Sequence, residues 1–76
     1  MNLNNLHLLI VEDELPAAKR LELMIKRILP FCSVDHCSSI KESVIYLQNV
    51  PKNPDLIFMD IRLGDGLSFE IFNQIE

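Results

Sequence analysis

No apolar run in this chain approaches the length that a membrane-spanning helix requires, so no transmembrane segment is expected. No basic residue precedes Lys19, and Met1-Asn2-Leu3-Asn4-Asn5 carries no cleavage-site pattern. A secretory leader is therefore not predicted, and the cytoplasm is the expected compartment. Positive charge is scarce: 7 Lys and Arg against 11 Asp and Glu give a formal net charge of −4. That balance argues against direct binding to nucleic acid or to an anionic membrane. There is no Gly-rich loop to cradle the phosphates of a nucleotide. Cysteine is limited to Cys32 and Cys37, whose spacing is neither a redox CxxC nor a zinc pattern. Two reduced, partly buried thiols are expected there. His7 and His36 flank no ligand-like cluster and read as ordinary strand residues.

The 76 residues are enough for one small domain, and with 49% hydrophobic residues the chain is too apolar for a disordered tail. No internal repeat, low-complexity tract or interdomain linker interrupts it. The organising stretch runs from Pro54 to Gly66. Leu56 to Met59 are four apolar residues between two aspartates, and turn residues bound the run on both sides. That pattern predicts a strand buried on both faces, as in a parallel sheet, with Asp60 at its C-terminal end.

Leu6–Val11 is a second apolar run and predicts the first strand, ending abruptly in Glu12-Asp13-Glu14. Pro16 suits the first turn of a helix. From Ala17 to Leu29, Ala18, Leu21, Ile25 and Ile28 recur at helical spacing, with Met24 and Leu29 widening the stripe, until Pro30 stops the helix. Cys32–Cys37 is β-leaning and predicts a second strand. Ser39-Ile40-Lys41-Glu42 matches a capping box, and Ile40, Val44 and Leu47 form the stripe of a second helix with Ile45 beside it. Residues 49–54 are turn-rich. After the strand and a loop at Ile61–Asp65, a third helix is predicted from near Gly66, carrying Leu67, Ile71, Phe72 and Ile75. The order β-α-β-α-β-α is the signature of a parallel sheet with crossover helices, an α/β fold.

Parallel strands share one C-terminal edge, so Glu12, Asp13 and Asp60 converge if the first and third strands are neighbours. Three carboxylates packed together repel, and a hard divalent cation resolves the conflict. Oxygen-only ligands with room for water suit Mg²⁺. The backbone carbonyl of Arg62 offers a further oxygen. With such an ion in place, one oxygen of Asp60 can attack phosphorus and form an aspartyl phosphate. The competing explanation makes Glu12, Asp13 and Glu14 a helix N-terminal acid cluster favoured by the helix dipole. It suits Glu14 well. It leaves unexplained why Asp60 ends a strand in the same way.

These residues also carry a resemblance. Leu9-Ile10-Val11-Glu12-Asp13-Glu14, then Asp55-Leu56-Ile57-Phe58-Met59-Asp60-Ile61, then Asp65-Gly66, resemble the receiver domain of bacterial two-component response regulators. The text Ile-Arg-Leu-Gly-Asp-Gly-Leu-Ser-Phe-Glu after Asp60 is most similar to receivers joined to LytTR-type DNA-binding domains. The resemblance implies a flavodoxin-like doubly wound parallel sheet with strand order 2-1-3-4-5. It implies Asp60 as the phosphoacceptor, Glu12 and Asp13 as the Mg²⁺ pair with Asp60 and the Arg62 carbonyl, and a sensor histidine kinase as partner. It makes the protein a signalling component rather than an enzyme, with transcription regulation as the output of the parent.

The resemblance covers residues 1–76, but these match only the N-terminal part of the family's domain. Its last two strands have no counterpart here, nor do the Ser/Thr and Lys that contact the phosphoryl group or the aromatic switch residue. Gly64 stands where many receivers carry a proline. The third strand should then present a raw sheet edge beside uncovered apolar helix faces, inviting homo-oligomers. Two other functions remain open. One is a truncated or pseudo-receiver acting as a protein-interaction module without phosphate. The other is a Mg²⁺-dependent phosphohydrolase, against which Arg62 occupies the position where a second acid is needed.

Overall fold

The computed structural model describes residues 5–75. Three parallel strands form the sheet: β1 (His7–Val11), β2 (Ser33–Cys37) and β3 (Leu56–Met59), in the order β2-β1-β3. The apolar run in β1 puts it in the middle, where both faces are covered, and Leu8 to Val11 are all buried. Helix α1 (Leu15–Ile28) connects β1 to β2, and α2 (Ile40–Asn49) connects β2 to β3. These connections cross the sheet in opposite directions, and crossovers of one hand then place their helices on opposite faces. The core divides accordingly. Leu8 and Ile10 pack with Leu6, Ala18, Ile25 and Cys32 under α1. Leu9 and Val11 pack with Cys37, Ile40, Leu63 and Ile71 on the other side.

Pro16 lies in the first turn of α1, and its N-cap is Glu14. The buried stripe of α1 uses Ala18 and Ile25, with Leu21 and Leu29 half-buried. Met24 and Ile28 fall to one side of that line and stay exposed, so the predicted stripe was too wide. Ser39 caps α2 as the capping-box pattern predicts, its hydroxyl accepting the Glu42 N–H at 3.0 Å. The reciprocal half is absent: the Glu42 carboxylate takes a hydrogen bond from the Ser38 hydroxyl instead. Cys32 and Cys37 are free, buried thiols. Burial, the largest influence, pushes the Cys37 thiol up to about 11.

Two expectations fail beyond β3's start. β3 is not buried on both faces. It pairs with β1 along one side only, and Leu56 and Phe58 remain 48% and 37% exposed while Ile57 and Met59 are half-buried on the α2 side. The third helix does not begin near Gly66. Residues 61–67 instead hold a two-stranded antiparallel hairpin, β4 (Arg62–Leu63) and β5 (Gly66–Leu67), turning through Gly64 and Asp65. Gly66 has φ +138°, which no right-handed helix accommodates. A 3₁₀ turn at Ser68–Glu70 follows, and α3 spans only Ile71–Gln74. Ile71 is fully buried and Ile75 half-buried, whereas Phe72 is half-exposed. Among the described residues, no helix is long and apolar enough to cross a membrane.

Candidate metal centre

The ladders that hold β1 continue one residue past its end on both sides. The Glu12 N–H donates to the Cys37 carbonyl at 3.0 Å, and the Asp60 N–H donates to the Val11 carbonyl at 3.0 Å. Both acids are thus fixed at the same edge of the sheet by backbone pairing. Asp13 follows Glu12 in the turn before α1. The outcome is that ligand oxygens of Glu12, Asp13 and Asp60 all lie within 4.8 Å of one another. Glu12 is half-buried; Asp13 and Asp60 are exposed.

His36 takes part from β2. Its Nε2 lies 2.8 Å from the Glu12 carbonyl oxygen, which can only accept, so Nε2 carries the proton. This side chain, read from sequence as an ordinary strand residue, pins the backbone that presents Glu12. No spacing rule pointed to it, because the contact depends on strand register.

The carboxylates repel as expected. Among the described residues, the lysine–carboxylate contact is Lys26–Glu22, and His7 lies against Asp35; neither touches this cluster. The Glu14 N–H donates to Glu12 Oε1 at 3.1 Å and is the largest single influence on that carboxyl, favouring its ionised form. Burial, the charge of Asp60, and a hydrogen bond and charge from Asp13 together outweigh it. Glu12 is held above its ordinary range.

The hairpin lies beside these acids. The Arg62 N–H points to Asp60 Oδ1 at 3.4 Å. The Ser68 N–H donates to the Ile61 carbonyl at 2.9 Å, so Arg62 and Leu67 form a non-hydrogen-bonded pair and the Arg62 carbonyl faces out of the hairpin. The turn lies against the acids: a Cβ placed on Gly64 would sit 3.9 Å from Asp13 Oδ2. Asp65 reaches the other way. Its Oδ1 accepts the Ile40 N–H at 3.0 Å and its Oδ2 the Lys41 N–H at 3.1 Å. These bonds, the Ile40 N–H first, hold its carboxyl below the usual carboxylate range. Sequence reading used Asp65 only as part of a motif and missed this second cap on α2.

The donor set suits a hard cation. It is all oxygen and uncompensated, and each carboxylate keeps at least one oxygen that no protein donor occupies. Next to it opens a groove of about 330 Å³, with Ile10, Leu21 and Phe58 as apolar walls and Glu12 and Asp60 at its polar end. Asp60 is open to solvent through this groove. Comparison of the chain with protein-family models, with curated proteins and with solved structures gives no match.

Proposed function

We propose that these residues form the N-terminal part of a response-regulator receiver with a flavodoxin-like fold, in which Asp60 accepts a phosphoryl group from a sensor histidine kinase. The observation that carries this reading is the convergence of Glu12, Asp13 and Asp60 within 4.8 Å at the C-terminal edge of adjacent parallel strands. The neighbouring placement of β1 and β3, with helices on both faces, supports the fold assignment.

Glu12, Asp13, Asp60 and the Arg62 carbonyl would hold Mg²⁺, which when bound neutralises the carboxylates and the incoming phosphoryl oxygens. The Arg62 N–H steadies the Asp60 carboxylate. A free oxygen of Asp60 attacks phosphorus, and a P–O bond forms as the P–N bond of the donor phosphohistidine breaks. The electron pair leaves with the imidazole, which takes a proton from water. The product is an aspartyl phosphate on Asp60. Transcription regulation is the proposed output of the parent protein, through a further domain.

The test is incubation with Mg²⁺ and acetyl phosphate, read by intact-mass spectrometry beside Asp60→Asn. With no counterpart among residues 1–76 of the Ser/Thr and Lys that receivers set against the phosphoryl group, a weak gain or none is the expected result, and any phosphate-sized gain that disappears in Asp60→Asn assigns Asp60 as the acceptor. A gain that persists in the variant would sink the assignment of Asp60. An interaction module that never carries phosphate is the second reading, favoured by the exposed Leu56 and Phe58 on the open edge strand. A Mg²⁺ titration separates the two, because a pure interaction module needs no cation.

A further inference from the structure

We propose that Asp65 is a positioning residue for the acidic centre: by capping α2 from the hairpin tip, it fixes the Arg62 carbonyl and the wall against Asp13 in the arrangement that a divalent cation requires. This inference rests on the metal-site reading above.

A hairpin of two residues per strand is not stable alone. Its position depends on what tethers it. At its base the tethers are the Arg62 N–H on Asp60 and the Leu63 side chain, buried in the core with Leu9, Val11 and Ile71. At its tip Asp65 grips the Ile40 and Lys41 amides with both carboxylate oxygens, at 3.0 and 3.1 Å. The same tip places Gly64 against Asp13 and Gly66 beneath Ile40, where a Cβ would come 3.2 Å from Ile40 Cδ1. The tip is therefore clamped between Asp13 and the start of α2.

The helix alone does not call for this arrangement. Ser39 already caps the Glu42 amide, and Lys41 is exposed, so water can serve its amide; only the part-buried Ile40 N–H depends on Asp65 for a partner. What the distant carboxylate adds is the location of the hairpin. Coupling of this kind is reciprocal: if the cap strengthens cation binding, cation binding strengthens the cap by the same factor.

The experiment is a calorimetric titration with Mg²⁺ alone on the full chain, four single variants and the Asp65→Ala/Lys41→Pro double variant, with thermal unfolding in the absence of Mg²⁺ to confirm that each is folded. Asp65→Ala should bind Mg²⁺ roughly tenfold more weakly, the loss typical of removing an outer-shell partner of a metal site. Asp65→Asn keeps one acceptor oxygen and should fall between. Lys41→Pro removes one donor from the opposite side, and in the double variant its loss should not add to that of Asp65→Ala. Ser39→Ala weakens α2 without touching the hairpin and should leave Mg²⁺ affinity unchanged. Hydrogen exchange supplies a separate readout, since Mg²⁺ should slow the Ile40 and Lys41 amides in the parent and not in Asp65→Ala. Unchanged affinity in a folded Asp65→Ala, or an equal loss in Ser39→Ala, overturns the positioning role alone. No Mg²⁺ binding by the parent chain overturns the metal-site reading and this inference with it.

Discussion

The Tyr46 hydroxyl shows how much a single group can tie together in a sheet this small. It donates to Asp35 Oδ2 at 2.6 Å, while His7 Nε2 lies 3.0 Å from the same oxygen and 2.9 Å from the hydroxyl. One contact thus joins α2, β2 and β1 at a distance from the acidic centre. The Tyr46 hydrogen bond, followed by the one from His7, holds Asp35 below its ordinary range. Burial, then the bond to Asp35, pushes Tyr46 up. The lowered acid contributes stability above its unfolded value of 3.8, lost as pH falls through the folded value. The raised phenol contributes stability below its unfolded value of 10.0, lost as pH rises through its folded value. Tyr46→Phe should therefore cost about 1 kcal/mol near neutrality, below the usual range for a charged hydrogen bond because Asp35 is half-exposed and screened by solvent. The difference should shrink below pH 3.8 and again above pH 10. Urea unfolding across that range tests it, and a cost independent of pH would show that lost packing, not the hydrogen bond, is responsible.

At the level of elements, the hairpin is the segment whose glycines matter, and they matter differently. Gly66 has φ +138°, and a Cβ there would meet Glu70 Oε2 at 3.0 Å as well as Ile40 Cδ1. Gly66→Ala should destabilise the chain by roughly 1–3 kcal/mol, the cost of a residue held in a disfavoured backbone region. Gly64 has no positive φ, and its Cβ would find only ordinary contact with Asp13. Gly64→Ala should be nearly neutral in the same chemical unfolding measurement. If both cost the same, backbone strain at Gly66 is not what sets the turn. Sequence could not separate these two residues. Leu67, Ile71, Phe72 and Ile75 have helical spacing, so the pattern predicted one helix from Gly66 onward. Only its end formed, because a left-handed glycine and the Ser68–Ile61 bond commit the first half to a hairpin. Elsewhere the local signals agreed with one another: the run in β1, Pro16 in α1 and Ser39 before α2 each marked their element. Ser39→Ala should cost about 1 kcal/mol for the lost N-cap, measured the same way. The three carboxylates were legible because each sits next to an unmistakable apolar run. His36 and Asp65 were not, since their contacts come from register and from a turn 25 residues away from Ile40.

At the scale of the whole sheet, neither outer strand has a second neighbour among the described residues, but the two edges are unlike. β2 is short of apolar residues and alternates exposed with half-buried positions until Cys37, so its edge offers little to bury. β3 offers an edge with Leu56 and Phe58 open on the α1 side, next to a groove walled by Leu21 and Ile10. An apolar edge strand of this kind templates pairing with another chain. The flanking Asp55 and Asp60 and the net charge of −4 oppose such pairing between two copies, and salt screens that repulsion without weakening apolar burial. Association of the chain should therefore rise with its concentration and also with salt, followed by sedimentation velocity. Phe58→Lys, and separately Leu56→Lys, should suppress it by charging the exposed face of β3 while leaving Ile57 and Met59 in the core. A chain that stays monomeric at high concentration in both low and high salt would show that this edge is protected in a way its exposure does not reveal. Association that weakens with salt would place the contact on charged surfaces and away from β3.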